Sequence, residues 1–404
     1  MKSKKNFELE PYSTDASMIP GQATQVVFPK TIGDIKEALS FGKITIRGGG
    51  TGLVGGAVPQ NSLVLDMSKM NKVIEFNMDK RNILVEAGML LDELNSEVER
   101  YGLEFPVKPS SHSVCTIGGM IATNAVGNRA IKYGKTLDWV EELEVVDGNG
   151  ELLKIGKVEL GDFVGMEGTT GVIVKAKLKL SPRKERTASL FKLKNFDEVL
   201  EAVQKLKMEK DVSAIELFDK FSSNLLGFGE NYSLIAEFES ERGSLKHEEY
   251  DKLMNLRDDI YPLLAKQGYV HIQDPKLLIH KTKELAEYLV SENVPFFGHI
   301  GVGIIHPVFK AGEEDKIKRM LNYVKRLHGQ VSGEHGIGIL KREFLDFTEK
   351  KLIMSIKRRR DPFCKLNCGN MVDEAPEISK RGRERVEQVQ NIIDEQNKAS
   401  EETI

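Results

Sequence analysis

The chain has 404 residues, 40% of them hydrophobic and 29% charged, with a formal net charge of −3. That length exceeds one ordinary core and predicts at least two domains, and the composition excludes disordered and membrane classes. The near-balanced charge offers no footprint for nucleic acid or for an anionic membrane.

Residues 1–20 read as a polar lead with no apolar leader segment, and no apolar run reaches the ~18 residues of a membrane span. Strand patterns follow at 25–29, 43–47, 62–67 and 82–86. Helices are predicted over 31–41, with Thr31 as N-cap, and over 91–101. Residues 143–150 carry a hairpin signal ending in Asp147-Gly148-Asn149-Gly150, and 172–180 alternate as a strand. A boundary is expected at Ser181-Pro182, before a Lys/Arg/Glu run. The pattern then restarts as strand 190–193, helix 195–207, strands 214–218 and 232–238, and one long helix over 247–265. That order predicts a ferredoxin-like layer. Helices at 282–292 and 313–328 flank a glycine-broken strand at 296–309, and 351–371 is the last globular stretch. The charged tail, 379–404, reads as a solvated helix or arm, and no internal repeat is evident. Three cysteines are too few for a disulfide framework and predict a reducing, cytoplasmic setting. Cys364 and Cys368 are expected as small buried residues, with a redox or metal pair as the sharper alternative.

Three glycine segments stand out. Arg47-Gly48-Gly49-Gly50-Thr51-Gly52, continuing to Gly55 and Gly56, follows a strand. Clustered glycines let backbone N–H groups close around a phosphate. Gly50, Gly52 and Gly55 fit the spacing G-x-G-x-x-G, but a dinucleotide fold needs that motif to open a helix. Here Pro59 and another strand follow, so the phosphate would rest on loop backbone. The second segment, Pro109 to Asn128 with Tyr133-Gly134 behind it, is rich in small residues and hydroxyls that can hug a flat ring. The third is Gly165-Met166-Glu167-Gly168-Thr169-Thr170-Gly171-Val172-Ile173. Three separated segments suit a long ligand better than one phosphate.

His299 and His306 lie in an apolar, glycine-broken stretch, and Glu334-His335 in Ser-Gly-Glu-His-Gly-Ile-Gly. Two histidines and a carboxylate suit a divalent ion such as zinc. The plainer account of any one of them is a buried, hydrogen-bonded imidazole. Residues seven apart on a straight strand face opposite sides, so joint ligation requires Gly301 or Gly303 to bend the backbone.

These segments resemble the FAD-linked oxidases of the vanillyl-alcohol oxidase / p-cresol methylhydroxylase superfamily. The branch is that of D-lactate dehydrogenase, glycolate oxidase subunit and D-2-hydroxyglutarate dehydrogenase. The family pattern R-G-x-G-T-x-L-x-G-G is nearly complete at Arg47–Gly56, G-G-x-x-A-T-N-A-x-G-x-R is matched at 118–129, and G-x-E-G-T-x-G at 165–171. The resemblance runs over residues 18–372. It implies an α+β fold: a two-subdomain FAD-binding domain over 1–183 and a ferredoxin-like cap over 184–345. A segment over 346–372 returns to the FAD domain, and a charged tail fills 373–404.

It also implies noncovalent FAD with its pyrophosphate on Arg47, Gly48, Gly49, Gly50, Thr51, Gly52, Gly55 and Gly56. The rest of FAD would lie along Pro109, Ser113, Thr116, Gly118, Gly119, Ala122, Thr123, Asn124, Gly127, Tyr133 and Gly134. Further contacts would come from Glu167, Gly168, Thr169, Gly171, Ile173 and, from the returning chain, Asn367. His299, His306 and Glu334 map onto metal ligands (zinc, manganese or iron), and His335 onto the catalytic base. Arg257 resembles a cap-helix arginine that clamps the substrate carboxylate, against the plainer reading of a surface helix charge. Val302 and Ile304 stand where the family has Asp and Asn, which predicts missing hydrogen bonds behind the metal ligands. Cys368 and Asn370 likewise replace a proline and a lysine of the family pattern.

The implied function is FAD-dependent oxidation of a D-2-hydroxy acid, D-lactate or glycolate, to the 2-oxo acid. Electrons would pass to an iron–sulfur protein, quinone or cytochrome, with an oligomer or a peripheral membrane location through such a partner compatible. The alternative is a non-catalytic FAD subunit that carries electrons within a larger complex.

Overall fold

The computed structural model describes residues 8–373. The expected tail over 379–404 lies outside them. β1 (Gln22–Val27), α1 (Ile32–Ser40), β2 (Ile44–Arg47) and β3 (Gln60–Asp66) form a parallel sheet in the order β1-β3-β2. Thr31 caps α1 reciprocally: its hydroxyl accepts from Asp34 N–H while the Asp34 carboxylate accepts from Thr31 N–H. The connection from β2 to β3 is the first glycine segment, and no helix lies within it.

β4 (Val73–Asn77), β5 (Asn82–Glu86), α2 (Leu91–Glu99), β6 (Leu103–Glu104), α3 (Ile117–Thr123), α4 (Ala130–Tyr133), β7 (Val140–Asp147), β8 (Leu152–Ile155) and β9 (Gly171–Lys179) come next. Five of these strands make an antiparallel sheet, β4-β5-β9-β7-β8, and β7–β8 is the expected hairpin. Its core includes Val85, Leu91, Leu94, Phe105, Ile121, Val145 and Leu178. β10 (Ser181–Pro182) pairs with β6 and leads out of this half.

The second half holds β11 (Thr187–Leu193), α5 (Phe196–Lys207), β12 (Val212–Phe218), α6 (Lys220–Leu225), β13 (Tyr232–Phe238), α7 (His247–Asp258), α8 (Ile260–Lys266), β14 (Tyr269–Ile272), α9 (Thr282–Ser291), β15 (Phe296–Gly298), β16 (His306–Lys310) and α10 (Glu314–Arg326). Its six-stranded sheet runs β11-β13-β12-β15-β16-β14, antiparallel throughout. Two β-α-β-β units, β11-α5-β12-β13 and β14-α9-β15-β16, meet edge to edge at β12 and β15. The structure therefore contains a repeat of topology that the sequence does not display, because different residues satisfy the same layer pattern. Every residue of β12 and β13 is buried, with separate apolar clusters covering the two faces.

The single helix expected over 247–265 is two. Pro262 cannot donate to a carbonyl one turn back, so the chain turns at Asp259 and α8 restarts with the proline in its first turn. After α11 (Phe347–Arg360) the chain lies along β2: Ile44 N–H donates to Lys365 O and Asn367 N–H to Ile44 O. The Lys357 ammonium is buried there, donating to Thr169 O, Leu366 O and Asp361. Cys364 and Cys368 form a disulfide with Cα atoms 5.3 Å apart, which corrects the expectation of two unpaired small residues. Their turn, with Cys364 and Asn367 at positive φ, brings the two side chains together. Cys115 is free and buried. Among the described residues no helix is long and apolar enough to cross a membrane.

Candidate active site

One cleft runs from the glycine loops of the first half to the histidines of the second. At its first end, Gly50 takes a positive φ between β2 and β3, and no protein acceptor among the described residues takes the N–H groups of Gly49, Gly50, Thr51 and Gly52. Such a run of free amides is an anion nest. The wall beyond is assembled by close approach of backbones. A Cβ on Gly49 would lie 2.0 Å from Val114 O, and one on Gly118 2.8 Å from Ala87 Cβ. Gly48, Gly49, Gly50, Thr51, Gly52, Gly56, Pro109, Thr116, Gly118, Gly119, Ala122, Thr123, Glu167, Gly168, Gly171, Ile173 and Asn367 all line the cleft. Asn367 ties its parts together, donating to Gly56 O and Glu167 O while accepting from Ile46 N–H.

Other expected contacts are placed elsewhere. The Arg47 guanidinium folds back to donate to Thr14 O and covers the Tyr12 ring. Gly55 packs on Ile19 and Ile339, and Gly127 on the backbone of Lys108. Ser113 is exposed on its turn. Asn124 ends α3 in the left-handed region and accepts from Leu137 N–H, and Gly134 lies against Asp138. Thr169 is fully buried, donating to Met166 O. The Tyr133 hydroxyl turns away to bond Glu239 of the second half.

At the other end, His299, His306 and Glu334 gather with one ligand atom of each within 4.8 Å of the others. The bend that allows this is a short turn at Ile300–Val302 closed by Gly303 at φ +76°. A Cβ on Gly303 would lie 2.0 Å from Leu277 O, so only glycine fits. His299 Nδ1 is 2.6 Å from Glu216 Oε1, and His306 Nδ1 is 3.1 Å from Gln273 O. In the tautomer with N–H at Nδ1, each ring would present Nε2, 3.5 and 3.2 Å from Glu334, to a cation shared with that carboxylate. The hydrogen bonds expected to be missing at Val302 and Ile304 thus come from Glu216 and from a backbone carbonyl. Ile304 itself is buried against Gly333.

Asp274 holds the Glu334-His335 turn. Its Oδ2 accepts from Ser332 Oγ and from the N–H groups of Gly333, Glu334 and His335, while Lys341 bonds Oδ1. The His335 ring stacks on His306 with centroids 5.2 Å apart, and its Nε2 is 3.2 Å from Glu334 Oε1. Among the described residues, three buried atoms around this cluster have no hydrogen-bond partner: Gln273 Oε1, Glu334 Oε2 and His335 Nδ1. An unpartnered carboxylate oxygen beside two imidazole nitrogens fits a divalent cation held by His299, His306 and Glu334.

Arg257 is buried, which excludes a surface helix charge. Its Nε and Nη2 donate to Glu216 Oε2 at 2.9 and 2.6 Å, and Nη1 donates to Asp258. Burial pushes the Glu216 carboxyl up, but the positive charge of a protonated His299 and of the Arg257 guanidinium outweighs it and holds it at about 2. Sequence reasoning missed both Glu216 and Asp274. The signal at Glu216 is an acid inside the otherwise apolar strand Ala-Ile-Glu-Leu-Phe, since a fully buried acid is rare without a partner. Asp274, before a proline, carries no such mark.

Residues 23–156 match the FAD binding domain family, and residues 246–371 match the C-terminal domain of FAD linked oxidases. The chain is 31% identical to a D-2-hydroxyglutarate dehydrogenase of Xanthomonas citri pv. viticola, across 81% of this chain and 83% of that one. It is 32% identical to a D-lactate dehydrogenase of Archaeoglobus fulgidus, across 86% and 91%. The protein belongs to the FAD-linked oxidases. This FAD-linked oxidase is also 27% identical to the glycolate oxidase subunit GlcD of Bacillus subtilis, across 93% of each chain. Its fold is shared with an alkyldihydroxyacetonephosphate synthase at a TM-score of 0.62 and 16% identity, covering 86% of this chain and 76% of that one. FAD is the cofactor of the family, and the unbonded amides at 49–52 fit its pyrophosphate.

Proposed function

We propose that the chain oxidises a D-2-hydroxy acid, with D-lactate and glycolate as the first candidates, to the 2-oxo acid. The observation that carries this reading is the single cleft joining the phosphate nest to the His299–His306–Glu334–His335 cluster. Bound FAD supplies the acceptor for the hydride leaving Cα. His299, His306 and Glu334 would hold a divalent ion, which would supply Lewis acidity for a 2-hydroxy acid. His335, stacked on His306 and fixed by Asp274, takes the hydroxyl proton. Arg257 faces the cleft and orients the carboxylate, with Glu216 and Asp258 fixing its guanidinium. Glu216 and Gln273 O keep the ligand imidazoles in the tautomer that presents Nε2. Substituted positions 302 and 304 favoured a non-catalytic FAD subunit. The polar support behind both histidines removes that argument. Electrons would leave to a partner such as an iron–sulfur protein, quinone or cytochrome.

The test is anaerobic addition of D-lactate or glycolate to the FAD-loaded protein, followed at the flavin absorbance, with metal analysis of the same sample. Bleaching is expected, and His335→Ala should slow it by at least about 100-fold with FAD retained. A flavin untouched by any D-2-hydroxy acid, or a fully active His335→Ala, would overturn the reading.

A further inference from the structure

The histidine end of the cleft has a wall that no part of the chemistry above uses. It is made by Ile260, Tyr261, Ile272 and Phe297, all from the second half. Each is tied to the reacting groups. Phe297 packs beside His306, with ring centroids 5.2 Å apart. Ile272 precedes Gln273, whose carbonyl holds the His306 ring. Ile260 and Tyr261 begin α8, just past Arg257 and Asp258 at the end of α7. The four belong to one apolar cluster. The Tyr261 hydroxyl donates to Val270 O at 2.8 Å, so this tyrosine offers the cleft its ring and not a free donor.

The charges at this end are equally one-sided. Arg257 is the only arginine or lysine lining the cleft among the described residues, and its Nε, Nη1 and Nη2 already donate to Glu216 and Asp258. Asp258 lines the same end. One guanidinium serves one substrate carboxylate. A second carboxylate, carried on the substrate side chain, would meet apolar side chains and an aspartate. Burying a charge without a partner is strongly unfavourable, whereas methyl and aromatic groups gain by leaving water.

We propose that the substrate is a 2-hydroxy monocarboxylate with an apolar branched or aromatic side chain seated on Ile260, Tyr261, Ile272 and Phe297, and that hydroxy dicarboxylates are rejected. This rests on the dehydrogenase reading above and narrows it. It favours lactate over glycolate, and side chains larger than methyl over lactate. It also separates this chain's specificity from the substrate named for its D-2-hydroxyglutarate dehydrogenase relative.

The test is a panel of D-acids given anaerobically to the FAD-loaded protein: glycolate, lactate, 2-hydroxy-4-methylpentanoate, 3-phenyllactate, malate and 2-hydroxyglutarate. The rate of flavin bleaching gives kcat/KM for each. The better of the two large apolar acids should exceed glycolate by at least about 10-fold and either dicarboxylate by about 100-fold or more. Tyr261→Ala should shrink the preference for that acid over glycolate by about 10-fold, chiefly through KM. Equal or faster bleaching by 2-hydroxyglutarate or malate overturns the proposal and leaves the dehydrogenase reading standing. An unchanged preference in Tyr261→Ala, with FAD still bound, likewise overturns it. Bleaching by none of the panel sinks the dehydrogenase reading and this proposal with it.

Discussion

Glu216 shows how one side chain can organise a site that it does not line. It is buried in the middle of β12, where a lone carboxylate could not remain ionised, and it is held so by His299 on one oxygen and Arg257 on the other. The same carboxylate therefore sets the orientation of a candidate metal ligand and of the candidate substrate clamp. Glu216→Gln keeps the volume and removes the charge, leaving Arg257 buried with only Asp258 beside it. We expect metal affinity or kcat/KM to fall by about 10–100-fold, as for other groups that orient ligand histidines. Metal titration and flavin bleaching of the variant check this. Wild-type values in both would show that His299 needs no such partner.

The element that matters most is the turn of residues 333–338. Asp274 fixes its start, and Glu167, from the third glycine segment, fixes its end by accepting from Ile337 and Gly338 N–H at 2.6 and 2.9 Å. Glu167 is thus the clamp between the third glycine segment and the turn after α10 that carries His335. Burial raises its carboxyl to about 7, against the pull of those two N–H groups and of Lys341. A carboxyl raised in the fold binds more protons there than in the unfolded chain. Stability should therefore fall as pH rises from the ordinary carboxylate range to about 7, and the penalty stays above it. The size is on the order of 3 kcal/mol. Glu167→Gln removes the titration, though it weakens one of the two hydrogen bonds. The melting temperature of the variant minus that of the wild type should be several degrees more positive at pH 8 than at pH 5. A difference independent of pH would mean that the carboxyl titrates normally.

On the scale of the molecule, a buried ionic network joins the two halves. Arg129, between α3 and α4, donates to both oxygens of Glu237 on β13 at 2.8 and 3.2 Å. Arg186, just before β11, bonds Glu104 and reaches Glu239, which also takes Tyr133 and Lys132. Tyr133 and its neighbours therefore fasten the second half over the cleft and do not line it. Removing one partner of a buried pair leaves the other charge desolvated. Arg129→Ala should lower stability by about 3 kcal/mol, read by urea denaturation of the FAD-loaded protein, with Arg186 and Tyr250 limiting the loss. A change below ~1 kcal/mol would mean the halves are held by apolar contact alone.

Local patterns made much of this legible before any fold was known. Thr31 announces α1 because a capping box is written within four residues, and the hairpin at 143–150 is announced by its turn residues. The glycine loops and the His-x6-His and Glu-His motifs are contiguous too, so the site's principal residues could be named from their order. What brings distant segments together left no such mark. Gly303 bends the chain so that His306 faces His299, Asp274 reaches forward to the Glu334 turn, and Glu216 answers both His299 and Arg257. Each role depends on which residues from remote segments share a low-dielectric interior. The repeated β-α-β-β layout was decided at the same level, by the packing of whole elements, whereas the break between α7 and α8 carries a local mark, Pro262, in the first turn of α8. Local sequence fixes a residue's conformational preferences, and only the assembled chain fixes its neighbours and hence its charge state and role.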